Sequence, residues 1–155
     1  MKRLLTGFIA AAAAGFWLAG SVTAADAPPA MLDALFPSGR ATVPLDTLAQ
    51  RVRLAPGEDF RVIELARDTQ TSQHLVAIRG AEVPHRHDRH ALLVVILRGH
   101  GRMRLGAGER PVGEGSILYV PRGSVHAFRN ESAEPAVAYA IYVPAFDGRD
   151  RITAP

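Results

Sequence analysis

Much of any metal or acid–base chemistry in this 155-residue chain has to rest on histidine, because there are six histidines and no cysteine. The missing cysteine excludes disulfide staples, thiolate metal sites and Cys nucleophiles together. The histidines are unevenly placed: His85, His87 and His90 crowd one short stretch, His100 follows, and His126 stands apart on a later apolar run. His85 and His87 are two residues apart, so on one strand both imidazoles project from the same face and can converge on an ion. Imidazole suits Zn, Cu, Fe and Ni, whereas a carboxylate-rich site would point to Mg, Ca or Mn. The same spacing also describes a polar, solvent-facing strand end, and the His-x-His pair alone does not separate the two readings.

Short β-branched, apolar runs are the elements that must position these rings. They read as strands over 51–54, 60–66, 74–79, 91–98, 102–105, 116–120, 124–129 and 136–143. Ala55-Pro56-Gly57, Arg98-Gly99-His100-Gly101, Gly106-Ala107-Gly108 and Pro121-Arg122-Gly123 supply turn chemistry between them. Eight strands at this spacing, with no convincing helix among them, predict an all-β sandwich or barrel. His74, with Val76 and Ile78 on one side of its strand, becomes a pocket residue if that side faces inward. Tyr119, Phe128, Tyr139 and Tyr142 read as core or pocket wall, since aromatic rings in small barrels chiefly supply buried area. Arg86 and Arg89, and likewise Arg102 and Arg104, read as a solvated outer face, with anion steering as the alternative.

Upstream of the strands the pattern changes twice. Lys2 and Arg3, the apolar stretch Leu4 to Leu18 and the small-residue run Val22-Thr23-Ala24 read as a signal peptide over 1–24, with an uncleaved membrane anchor as the alternative. Either way the rest of the chain crosses the membrane, so the expected location is periplasmic or secreted. Residues 25–50, rich in Pro and Ala, read as an N-terminal arm in which only Met31 to Phe36 looks like a short helical turn, and 51–155 as one domain. The arm's apolar residues, Met31, Leu32, Leu35, Phe36, Val43 and Leu45, need a surface to cover, which predicts a homodimer with the arm added across a sheet edge, or an arm packed on its own barrel. With 48% hydrophobic and 21% charged residues and a formal charge of +3, the chain is ordinarily globular and carries a small arginine excess rather than a basic stripe. No nucleic-acid partner, and no stable membrane insertion after cleavage, is expected.

Gly115, Pro121, Gly123, His126 and Asn130 stand at the spacings of every fixed position in the second motif of the cupin superfamily. The chain therefore resembles a small single-domain cupin. Read physically, Gly115 turns into a strand, Pro121 and Gly123 make a tight corner, and His126 starts the next strand opposite His85 and His87. Gly80 to Gly99, containing Pro84-His85-Arg86-His87, resembles the first motif with one residue fewer before its first histidine. The resemblance runs from Gly80 to Val143 and implies a jelly-roll barrel of two antiparallel sheets holding one divalent transition metal (Fe, Ni, Zn, Cu or Mn) at His85, His87 and His126.

The family's glutamate ligand would fall at Ala91 or Leu92, neither of which can bind a metal. His90 is then either a fourth nitrogen ligand or a surface histidine in the turn after Arg89, while Glu82 and Asp88 are poor substitutes. Three neutral imidazoles leave a divalent site at net +2, which acidifies a bound water and favours anionic ligands. The other consequence is weak metal retention, with the pocket surviving only as a ligand-binding cavity. Three-histidine cupins resemble dioxygenases acting on diketone-like or aromatic chelators, which implies a dioxygenase-like oxidoreductase for a small chelating or anionic substrate. The alternative is a non-catalytic periplasmic binding protein for a small anion or sugar acid.

Overall fold

The computed structural model describes residues 29–36 and 39–155; the leader over 1–24 lies outside them. Ten strands make two five-stranded antiparallel sheets. The first sheet runs β3 (Phe60–Arg67), β4 (Ser72–Ile78), β11 (Ala136–Val143), β6 (Ala91–Arg98), β9 (Ile117–Val120). The second runs β12 (Ile152–Thr153), β5 (His85–Arg86), β10 (His126–Asn130), β7 (His100–Leu105), β8 (Gly108–Gly113). This is the all-β, two-sheet jelly roll expected, with side chains of both sheets interdigitating between them. Ile78, Leu92 and Val120 of the first sheet meet Met103 and Phe128 of the second in one buried cluster, and water exclusion from that cluster is the main drive to close the barrel.

Strand β6 shows why its sequence is apolar almost throughout. Leu92, Val94 and Ile96 face the barrel interior, while Leu97 packs into a second cluster on the outside of the same sheet. That outer cluster is built with the N-terminal segment: β1 (Met31–Phe36) and β2 (Gly39–Pro44) form a hairpin, and α1 (Leu45–Ala49) follows. Leu48, Ala49 and Val52 bury against Leu75, Ala77, Val137 and Tyr139. The segment read as an arm thus covers its own barrel, and its contacts continue past residue 50 through Val52.

Among the differences from the sequence pattern, four have a plain physical reason. Met31–Phe36 is a strand instead of a helical turn, because pairing from Met31↔Pro44 to Phe36↔Gly39 satisfies its backbone and Asp33 accepts from Arg40 Nε and Thr42 Oγ1, each at 2.9 Å. Residues 51–54 form no strand; Val52 is buried in the outer cluster and Leu54 packs against it. Gly108–Gly113, unread in the sequence because it lacks apolar alternation, is the edge strand β8, where Pro111 is tolerated since edge positions need not donate to a ladder. Tyr119, expected as core or wall, is 63% exposed on the outer face of edge strand β9.

Candidate metal centre

Register places the first two rings. His126 on β10 pairs directly with His85 on β5, and directly opposed side chains on one face touch, so the imidazole centroids are 4.2 Å apart. The turn into β9 depends on Gly115 and the corner before β10 on Gly123, whose φ angles of +80° and +74° lie in the left-handed region that side chains disfavour. His87 arrives differently from the expectation that one strand would carry both residues of the pair. It lies beyond the end of β5, and its carbonyl accepts the Gly123 N–H at 2.8 Å, which ties its loop to the same corner. The outcome matches the predicted trio: His85, His87 and His126 are all buried, and each offers a nitrogen within 4.8 Å of the others.

Hydrogen bonds decide which nitrogens those are. His85 Nδ1 faces the Val83 carbonyl at 2.9 Å, His126 Nδ1 the Ser124 carbonyl at 3.0 Å, and His87 Nδ1 the Asp150 carbonyl. A carbonyl only accepts, so each Nδ1 carries the proton and each Nε2 keeps its lone pair. His87 Nε2 is buried with no hydrogen-bond partner, a costly state unless a ligand completes it. Burial, together with the neighbouring imidazoles, pushes the His85 pKa down to about 3. Burial likewise takes His126 down to about 4 and lowers His87. Neutral imidazoles with inward lone pairs, one of them orphaned, are a donor set that fits a divalent transition metal.

His85 and His126 line a cavity of about 240 Å³ between the sheets, walled largely by apolar side chains, and His87 packs beside them with ring centroids 5.2 and 5.3 Å away. Leu92, one of the two positions where the cupin resemblance puts a carboxylate, lines this cavity and is 5% exposed. Glu82 also lines it but stands outside the nitrogen cluster, because its Oε2 accepts the Phe128 N–H at 3.0 Å; burial raises its pKa. Arg151 reaches the same wall, 3.7 Å from Glu82 Oε1 and 3.2 Å from His85 Nδ1. With the His85 proton directed at Val83, the guanidinium is a nearby positive charge and not a donor to that ring. His74 faces inward, as one branch of its reading required, with Nε2 2.8 Å from Ser72 Oγ. Tyr142 stands edge-on to both His74 and His87, and burial pushes its hydroxyl up to about 12.

His90 corrects both readings offered for it. It is buried instead of lying on the surface, and its ring nitrogens face Asp150 Oδ2 at 2.6 Å and the Ala145 carbonyl at 3.3 Å. Neither nitrogen is available to an ion, so His90 is outside the ligand cluster. Asp88 pairs with Arg86 at the surface, and Arg89 and Arg102 are likewise in exposed ion pairs with Asp147 and Glu109, the solvated face expected of them. Asp150 and Arg151 escaped the sequence reading altogether. They follow the last long strand in a polar run with no periodic signal, and only the pairing of β12 with β5 brings them to the histidines.

Comparison with known proteins agrees with the fold. A family model described as "Cupin domain" matches residues 74–142. An uncharacterized protein of Aquifex aeolicus (strain VF5) is 39% identical over 95 residues, which cover 61% of this chain and 78% of that protein. The crystal structure of TT1209 from Thermus thermophilus superposes with a TM-score of 0.58 at 27% identity, over 64% of this chain and 95% of that one. An RmlC-like cupin from Shewanella frigidimarina NCIMB 400 gives 0.54 at 14% identity, over 61% and 84%, a likeness of fold alone.

Proposed function

We propose that this chain, which belongs to the cupin family, is an exported protein that holds one divalent transition metal at His85, His87 and His126 and presents it to a small organic ligand in the barrel. The observation that carries the reading is the convergence of three lone-pair-bearing nitrogens with His87 Nε2 buried and unpartnered. When bound, such a metal supplies Lewis acidity and a place where a chelating oxygen ligand is activated. The chain's own residues do the rest. Val83, Ser124 and Asp150 carbonyls fix the three tautomers, the apolar walls exclude water, and Arg151 places a positive charge where an anionic group would enter. These features support an oxidoreductase of dioxygenase type acting on a small chelating or anionic substrate.

A non-catalytic binding protein is the second reading. It is favoured by the cluster's lack of a carboxylate among the described residues and by the largely apolar cavity, which suits an organic ligand. Export is read from the leader, and pairing into a homodimer from Leu93, Ile117 and Tyr119, left exposed on one sheet; light scattering that finds a monomer at micromolar concentration removes the dimer.

The test is elemental analysis of protein expressed with its leader and purified from the exported fraction. About one transition metal per chain, with oxygen uptake on β-diketones or aromatic diols, is the result expected. No metal even after reconstitution overturns the metal centre, metal without oxygen uptake favours the binding protein, and retention in the cytoplasm removes export.

A further inference from the structure

The third ligand of the centre is held by a part of the chain remote from it in sequence. His85 and His126 each turn Nδ1 to the carbonyl two residues earlier, a contact that any strand-end histidine can make locally. His87 instead turns Nδ1 to the carbonyl of Asp150. The Asp150 side chain, 3% exposed, grips the turn that follows His87: Oδ1 accepts the Asp88 N–H at 3.1 Å and Oδ2 the Arg89 N–H at 2.8 Å. Oδ2 also meets His90 Nδ1 at 2.6 Å. Past Asp150, Ile152 pairs with Arg86 and Thr153 with His85, and the Ala154 N–H reaches the Pro84 carbonyl at 2.9 Å. One residue thus contacts every position from His87 to His90, and the strand behind it lies along the rest of the motif.

We propose that Asp150 is a positioning residue for the metal site: its carboxylate clasps the 88–90 turn while its own carbonyl holds His87 Nδ1, so that His87 Nε2 is presented to the ion. The inference rests on the metal reading above, in which His87 Nε2 is buried without a hydrogen-bond partner. A loop ligand has no sheet register to aim it. Without the clasp, the 87–90 turn loses three acceptor contacts at once, and the ring is free to exchange tautomers and swing. Partners that fix a ligating histidine typically govern metal affinity by about 10–100-fold.

Two measurements on the chelator-treated protein test this. In ¹⁵N-labelled protein, the long-range proton–nitrogen pattern of each imidazole reports its tautomer. Wild type is expected to show His85, His87 and His126 all protonated at Nδ1, and Asp150→Ala to show a tautomer mixture at His87 only. Titration with Co²⁺, followed by its visible absorption, should give a Kd raised about tenfold in Asp150→Asn and about 100-fold in Asp150→Ala. Asp147→Asn, an exposed change in the same tail, should stay within about twofold of wild type. Unchanged amide shifts in β4 and β11 certify the barrel, and should the alanine variant fail to fold, Asp150→Asn carries both measurements. A folded variant with the wild-type His87 tautomer and wild-type Co²⁺ affinity overturns the proposal. If wild type itself binds no Co²⁺, the metal reading fails, and the tautomer comparison alone decides whether the clasp exists.

Discussion

Two sets of buried histidines share this barrel, and they differ in what is left over after hydrogen bonding. His85, His87 and His126 direct Nδ1 to backbone carbonyls and keep Nε2 for one another's company. His74 and His90 have nitrogens committed to Ser72 Oγ and to Asp150 and Ala145. Exposure does not distinguish the sets, since all five are between 2% and 5% exposed. A buried histidine becomes a candidate ligand when a single partner satisfies one nitrogen and the other converges with its equivalents; His74 has the single partner but not the convergence, and a second partner commits His90 to the scaffold.

Alanine at His85, His87 or His126 should break the first set outright, because two remaining nitrogens are too few to hold the ion. Metal analysis after dialysis should find each variant nearly empty, with affinity down by at least about 100-fold, or about 2.7 kcal/mol. His90→Ala acts only through Asp150 and should cost no more than about tenfold. If His90→Ala empties the site as His87→Ala does, the division between the sets is wrong.

Acid should come next in size. In the metal-free protein His85 and His126, held down near 3 and 4 chiefly by burial, stay neutral while the unfolded chain binds protons with the ordinary histidine pKa of about 6.5. The unfolded state therefore binds more protons, and the contribution is complete above pH about 6.5 and lost as pH falls towards the folded values. Between pH 7 and 5 the loss should be about 1 kcal/mol per ring after allowance for solvent screening. Glu82, whose pKa burial raises, acts in the opposite sense, so the melts are compared in wild type and Glu82→Gln. A Tm that holds or rises on acidification in both proteins contradicts the assignment.

Leu92→Glu sharpens the comparison by adding a charged donor to the first set. Because Leu92 lines the same cavity as His85 and His126, the variant should bind metal about tenfold more tightly, about 1.4 kcal/mol. In the metal-free state the unpaired buried carboxylate should lower stability. A folded variant with unimproved affinity would mean that the β6 side chain at this position does not reach the ion. The smallest effect belongs to the second set: His74→Phe removes the bond to Ser72, whose Oγ still accepts the Phe146 N–H at 2.9 Å. Urea unfolding should show a loss of about 1 kcal/mol and metal titration no change beyond twofold.

Most long strands were legible because burial on at least one face imposes an apolar pattern, as in β4, β6 and β11. Strands β5, β8 and β12 were not. β5 and β12 have two residues each, too few for any period, and β8 is an edge strand of charged residues, glycine and proline. Met31–Phe36 misled for a related reason: six residues with mixed polarity satisfy a helical turn and a strand equally until β2 supplies the partner.

His85 and His126 as ligands were readable from the chain alone, because what orients them is local: a strand end, a glycine-dependent corner and a carbonyl two residues back. His87 was readable as a candidate through its spacing from His85, but its aim was not, since its proton acceptor lies 63 residues away. The fate of His90 was likewise unreadable, its carboxylate partner being 60 residues distant. Sequence determined the inventory of donors and the barrel that gathers them, through periodicities that span a few residues. Tertiary structure decided which nitrogen each ring could offer, because a tautomer is set by whichever acceptor the fold brings to it, and at His87 and His90 that acceptor comes from the far end of the chain.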